Sequence, residues 1–135
     1  MSHLLDVNFL IACGWESNTE YVRASRWLLK ADSFATCSVT EMGFLRVSLS
    51  PAFRATFDEA MAALLAIVAL RSHRFITDAT SARALPQGLT GKDVTDAHLV
   101  SLARSHKLKL ATFDASLCAK KWAVGIAEDP THPKR

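Results

Sequence analysis

The chain has 135 residues, half of them hydrophobic, with 16 basic and 13 acidic side chains for a formal charge of +3. That length suits one domain with a real core, and the apolar content excludes disorder over most of it. The longest apolar stretch, Ala60 to Leu70, is about half of what a membrane helix needs, and the start Met1-Ser2-His3-Leu4-Leu5-Asp6 lacks the basic and apolar regions of a secretory signal.

His3 to Val7 is a short apolar run carrying Asp6 and reads as a first strand. Helical spacing follows over Asn18 to Ala31, with Tyr21, Ala24 or Ser25, and Leu28 on one side. Phe34 to Cys37 reads as a second strand and Ser38 to about Ser48 as a helix. Pro51 stops that helix and can open the next, Ala52 to Leu70, which is strongly apolar in its second half. Arg74 to Ile76 is a third strand and Ala79 to Ala84 a short helix. Pro86, Gly88 and Gly91 mark Leu85 to Lys92 as a loop. A helix over Asp93 to Ser105 leads to a fourth strand, Leu108 to Thr112. A short helix, Ser116 to Lys121, and a fifth apolar piece, Trp122 to Ile126, complete the series. Residues 1–127 form one domain on this reading, and the charged, proline-containing segment 128–135 is a flexible tail. Strands alternating with helices imply an α/β fold, a parallel sheet with helices on both faces. Cys13, Cys37 and Cys118 are widely spaced with no C-x-x-C pair, so reduced thiols in a cytoplasmic protein are expected.

Four acids share one kind of setting, at strand ends or helix starts. In a parallel sheet the carboxyl ends of the strands form one edge, where open α/β proteins place their sites. Asp6 closes the first apolar run; it either caps a following helix or, with Asn8 as the cap, points into a site. Glu41 fits a capping box, Ser38-Val39-Thr40-Glu41, in which it would bond back to the Ser38 amide. It also lines up with Phe44 and Leu45 and so faces inward. Asp96 shares a helical stripe with Leu99, Val100 and Ala103, which puts a carboxylate on the buried side. Asp93, one turn earlier, is the natural helix-start acid, or a weak contact to an ion. Asp114 follows the fourth strand in the pattern Thr-x-Asp, where a turn aspartate is the plain alternative and Thr112 could hold a neighbouring carboxylate. Four carboxylates gathered on one edge repel unless a cation holds them. This points to a Mg²⁺- or Mn²⁺-dependent enzyme acting on a phosphate ester. With those four acids set aside, 16 basic residues face the remaining nine, a cationic surface that suits a nucleic acid.

In order and spacing, Leu5-Asp6-Val7-Asn8, Thr40-Glu41-Met42-Gly43-Phe44-Leu45-Arg46, Val94-Thr95-Asp96-Ala97-His98-Leu99 and Thr112-Phe113-Asp114 resemble the PIN-domain ribonucleases, specifically the VapC-type toxins of type II toxin–antitoxin pairs. The resemblance runs from Leu4 to about Ile126, and none of the four acids is missing. It implies a PIN-like fold, a five-stranded parallel sheet flanked by helices on both faces. It implies Asp6, Glu41, Asp96 and Asp114 as the metal-binding and catalytic set, with Asn8 and Thr112 supporting them. It also implies an RNA substrate, a small antitoxin protein that occupies the site, and a homodimer.

On that reading Asp6, Asp96 and Asp114 hold one or two Mg²⁺ or Mn²⁺ ions, and Glu41 is a further ligand or the base. Lys120, Lys121, Lys92 and Arg46 are the basic candidates for gripping RNA, joined by Arg104 and Lys107; Lys120 and Lys121 lie just past Asp114. Trp15, Trp27 and Trp122 sit among apolar neighbours and read as core rather than as base-stacking platforms. His98 points off the Asp96 stripe. Two rivals are a haloacid-dehalogenase-type phosphatase, which wants an acid where Asn8 stands, and a non-catalytic RNA-binding module of the same fold.

Overall fold

The computed structural model describes residues 2–132. Five short strands make one sheet: β1 (His3–Leu5), β2 (Phe34–Thr36), β3 (His73–Phe75), β4 (Lys109–Ala111) and β5 (Ala127–Glu128). All four pairings are parallel and the order is β3-β2-β1-β4-β5. Six α-helices surround it: α1 (Val7–Gly14), α2 (Tyr21–Lys30), α3 (Ser38–Ser48), α4 (Phe57–Val68), α5 (Val94–Ser105) and α6 (Ala115–Cys118).

The period-two alternation of the strands divides the core. Leu4, Ala35 and Leu110 point to one face, where they meet Leu99, Val100, Leu102 and Ala103 of α5 and Leu117 of α6. Leu5, Phe34 and Ala111 point to the other, against Phe9 and Leu10 of α1, Leu28 of α2, Phe44 of α3 and Leu64 of α4. Phe9, Phe34 and Phe44 are wholly buried, each worth roughly 1.5–3 kcal/mol of apolar transfer. Parallel strands with both faces covered are expected to be mostly apolar, which fits Leu4-Leu5 and Phe34-Ala35, while the buried polar residues His3 and Thr36 each have a hydrogen-bond partner. The expected α/β sheet with helices on both faces is what the chain forms.

The chain runs outward from β1 through β2 to β3, then returns to place β4 on the other side of β1. The reversal moves the crossover helices from one face to the other, as right-handed connections require. It also opens a crevice between the carboxyl ends of β1 and β4, the place where such sheets bind ligands.

Several boundaries differ from those read in the sequence. The first strand stops at Leu5, and Val7 opens α1, which the sequence spacing does not mark. Phe9, Leu10, Ile11, Ala12 and Cys13 are all buried, so the helix has no polar face to give a 3.6-residue rhythm. The helix expected from Ala52 begins at Phe57: Thr56 caps it, Thr56 and Glu59 bond reciprocally at 2.8 and 3.1 Å, and Arg54 before it is left-handed with φ 55°. The helix expected over Ala79 to Ala84 is a single 3₁₀ turn, Ala82–Ala84. The fifth strand is Ala127–Glu128 rather than Trp122 to Ile126, a segment that turns after α6. Glu128 therefore belongs to the sheet and not to a free tail: its carboxylate pairs with His3 and Lys109. Asp129 caps the next turn through Thr131 and faces Arg23 at 3.7 Å. The rest of the expected tail, 133–135, lies outside the described residues.

α1 and α3 pack closely because Gly43 has no side chain. A Cβ there would stand 2.5 Å from Val7 Cγ2, so any larger residue would push the two helices apart. That contact fixes the starts of the helices that carry Asp6 and Glu41 on neighbouring strand ends.

Candidate active site

Asp6 sits where β1 ends, on the lip of the β1–β4 crevice. Its backbone N–H completes the sheet by donating to the Ala111 carbonyl at 2.9 Å. Its side chain caps α1, Oδ1 accepting from Val7 N at 2.8 Å, while Oδ2 accepts from the Thr112 hydroxyl at 2.8 Å. Only 5% of Asp6 is exposed. Burial raises its pKa above the usual carboxylate value; the Thr112 and Val7 hydrogen bonds oppose the rise, and the Asp114 charge adds to it.

Thr112 is fully buried and holds the crevice together. Its one proton goes to Asp6, and its oxygen accepts from Asn8 Nδ2 and from Asp114 N, both at 3.1 Å. Asn8 in turn accepts from Phe113 N at 3.1 Å, which settles the orientation of its amide at the end of β4. The ends of β1 and β4 are thus cross-tied through Asp6, Asn8 and Thr112, and each polar group has a partner.

Asp114 caps α6. Its Oδ1 accepts from Ser116 N, Ser116 Oγ and Leu117 N at 3.0, 2.7 and 3.2 Å. The Ser116 hydroxyl, with those backbone amides and Lys120, holds its pKa below the usual value against the effect of burial. Asp96 stands in the first turn of α5 with no hydrogen bond or ion pair among the described residues. Burial, then the charges of Asp6, Asp114 and Asp93, push its pKa up to about 6. Asp6, Asp96 and Asp114 line one open pocket of about 390 Å³ with Asn8, Asn18, Ile11, Val47 and Phe53. A second recess of about 220 Å³ continues from it, sharing Asp96 and Asp114 and adding Asp93, Ser116, Lys92 and Lys120.

Glu41 does not line either recess. α3 begins at Ser38 as expected, but the capping box lies one residue before the one expected from Ser38 and Glu41: Cys37 is the cap, and its N–H donates to Thr40 Oγ1 at 3.0 Å. Glu41 instead accepts from the Thr36 hydroxyl at 2.6 Å, at the end of β2 and one strand over from Asp6. The four acids share a sheet edge; three of them share a pocket.

Comparison with known proteins agrees with this fold. The PIN-domain family matches residues 3–123. The chain belongs to the VapC-type PIN-domain family. It is 38% identical to the ribonuclease VapC38 of Mycobacterium tuberculosis across 84% of this chain and 86% of that one. It is 36% identical to the ribonuclease VapC39 of the same species, across 95% of this chain and 99% of that one. In fold it is similar to M. tuberculosis VapC20, described as a sarcin–ricin loop cleaving toxin, at 16% identity and a TM-score of 0.67 over 88% of this chain and 94% of that one. VapBC2 of Rickettsia felis, solved on a DNA fragment from its promoter, matches at 15% identity with a TM-score of 0.61 over 95% of this chain and 98% of that one.

Within this PIN domain the oxygen donors suit a hard divalent cation, since carboxylates and water are what Mg²⁺ and Mn²⁺ take. Asp96 has no protein partner to give up, and Asp114 has Oδ2 free. No three Asp, Glu, His or Cys donors among the described residues close into a single coordination shell. Of the basic candidates, Lys120 lies 3.9 Å from Asp93 and Lys92 lines the same recess. Lys121 and Arg46 are exposed but line neither acid recess, and Arg104 donates to the Trp122 carbonyl at 3.4 Å, behind α5. The tryptophans pack as expected: Trp15 lies along Phe44 and donates to Ser48, and Trp27 meets Phe9 and His3 edge-on. His98 pairs with Asp78 and not with the acids. Sequence reasoning missed Asn18 and Phe53, which line the pocket from segments carrying no motif, and Val47, which follows the Glu41 motif on α3. It also missed His73, which contacts Thr36 beside Glu41. No helix among the described residues is long and apolar enough to cross a membrane.

Proposed function

We propose that this protein is an endoribonuclease that hydrolyses RNA phosphodiester bonds with Mg²⁺ or Mn²⁺, and that it is the toxin of a toxin–antitoxin pair. The observation that carries the reading is the convergence of Asp6, Asp96 and Asp114 on one pocket in which Asp96 is left without a protein partner. Support comes from relatives named ribonucleases at 36–38% identity.

Asp6, Asp96 and Asp114 would hold the ion, with Glu41 one strand end away as a further ligand or proton acceptor. A bound divalent ion lowers the pKa of a coordinated water and offsets charge on phosphate oxygens. The chain's own residues do the rest. Thr112 and Asn8 fix the Asp6 carboxylate so that it need not reorganise. The α6 amides hold Asp114 Oδ1 and leave Oδ2 directed to the pocket. Lys92 and Lys120 draw the phosphate backbone to the mouth of the second recess, with Lys121 and Arg46 extending the cationic surface. Because the three aspartates are coupled, protons leave them as a set.

The antitoxin and a homodimer belong to the same reading: the VapBC2 fold neighbour carries its antitoxin, and a site with two open recesses has room for a protein segment. A phosphatase is less well served, because Asn8, where that chemistry wants an acid, has its amide committed to Thr112 and Phe113. The test is cleavage of a structured RNA by purified protein in Mg²⁺, Mn²⁺ and EDTA. Metal-dependent cuts that vanish with Asp96→Asn are expected; equal cutting by wild type and variant, or turnover only of a small phosphate monoester, would refute it.

A further inference from the structure

One buried chain of polar groups remains outside the pocket. Thr36, at the end of β2, is wholly buried. Its Oγ1 lies 2.6 Å from Glu41 Oε2 and 2.7 Å from His73 Nε2. The three residues come from α3, β2 and the edge strand β3, and the parallel register brings them together: Phe34 pairs with His73, and Thr36 follows Phe34 by two on the same face. The Phe34 ring stands 5.4 Å from the His73 ring, tilted against it.

A hydroxyl has one proton to give. A carboxylate only accepts, so the Thr36 proton goes to Glu41, and the other contact must be filled by a hydrogen on His73 Nε2. With Nε2 bare, Thr36 would have to choose between two acceptors, leaving lone pairs opposed inside a buried site. Filling both contacts takes a hydrogen on Nε2: His73 Nε2–H donates to Thr36 and Thr36 donates to Glu41, in competition with the Val68 carbonyl, which also faces the ring as an acceptor. Without that chain, a glutamate in a half-exposed first turn samples several rotamers.

We infer that His73, acting through Thr36, is a positioning residue for Glu41, fixing the fourth carboxylate of the nuclease at the end of β2. The inference rests on the ribonuclease reading for its consequence and on the hydrogen-bond geometry for its existence. The chain holds Glu41 Oε2, and Oε1 makes no hydrogen bond among the described residues. His73 touches no substrate; its effect on the rate passes wholly through Glu41.

Two measurements test it. The first is the ¹⁵N-correlated spectrum of the histidine rings at neutral pH. His73 is expected to carry its proton on Nε2 in the wild type and to change on Thr36→Val or Glu41→Gln. A His73 ring with Nε2 bare, or one indifferent to both substitutions, overturns the chain whether or not the protein cuts RNA. The second is a double-mutant cycle on RNA cleavage. His73→Phe and Thr36→Val are each expected to lower kcat by about 10-fold with KM unchanged, and Thr36→Ser to retain the wild-type rate. Added to Glu41→Gln, His73→Phe should cost nothing further. A full loss from His73→Phe in the Glu41→Gln background overturns the positioning role, as does a KM effect alone. A wild type inactive in both metals defeats the ribonuclease reading, and the ring spectrum then still decides the chain.

Discussion

Glu128 and Asp96 are both partly buried carboxylates on the β4–β5 side of the sheet, and their surroundings are opposite. Glu128 accepts from His3 Nε2 at 2.7 Å and from Lys109 Nζ at 3.2 Å. Burial works to raise its pKa but is outweighed by those partners, and the carboxyl is held below its usual range. Burial also holds the His3 pKa below the usual imidazole value, and Lys109 adds its positive charge beside Glu128. Asp96 has no such partner and faces three other carboxylates, and its pKa rises to about 6. Where the protein balances a buried charge itself, the charge is structural. Where it concentrates charge without balance, something from outside must complete the site.

The hardest break is Asp6→Asn, which is expected to abolish metal-dependent cleavage while circular dichroism stays unchanged, since the amide keeps the size and one acceptor of the cap. Next comes Thr112→Val. It removes the buried donor to Asp6 at constant shape and is expected to lower activity by about 10–100-fold. Chemical denaturation should show a loss of roughly 1–3 kcal/mol, the cost of a buried unpaired acceptor.

The comparison sharpens in pH. The Asp96 pKa is raised on folding, so its penalty is absent below the ordinary carboxylate range and grows as pH rises through about 6. Asp96→Asn is then expected to stabilise the ion-free protein at pH 7.5 by about 1 kcal/mol, a figure discounted for solvent exposure, and to gain nothing near pH 4. Glu128 has the reverse sign. Its pKa is depressed, so its contribution is present above the ordinary range and fades as pH falls through the folded value. Glu128→Gln should cost at most about 1 kcal/mol at neutral pH and leave RNA cleavage untouched. Thermal melts of both variants between pH 4 and 8 would show the two slopes, and parallel slopes would erase the distinction.

Much of this was legible in the chain because the edge acids follow apolar runs. Leu4-Leu5 before Asp6 and Leu110-Ala111 before Thr112 announce strands, and the alternation of sheet and helix places their ends on one edge. Asp96 was legible as a carboxylate among the buried residues of α5. What the sequence hid has two causes. Apart from Asn8, α1 is apolar, so no period marks it. Contacts between distant strands, such as Thr112 with Asp6 and His73 with Thr36, depend on register, which local pattern does not carry. Glu41 shows the cost: its spacing from Ser38 fits a cap, yet Cys37 and Thr40 fill that role and free Glu41 for Thr36.

The most direct measurement is calorimetric titration of Mn²⁺ into the ion-free protein at pH 7.5, for wild type and Asp96→Asn. Saturable binding that raises the melting temperature of the wild type and disappears in the variant is the expected result. Equal Mn²⁺ affinity in the two proteins would contradict the claim that Asp6, Asp96 and Asp114 form one metal site.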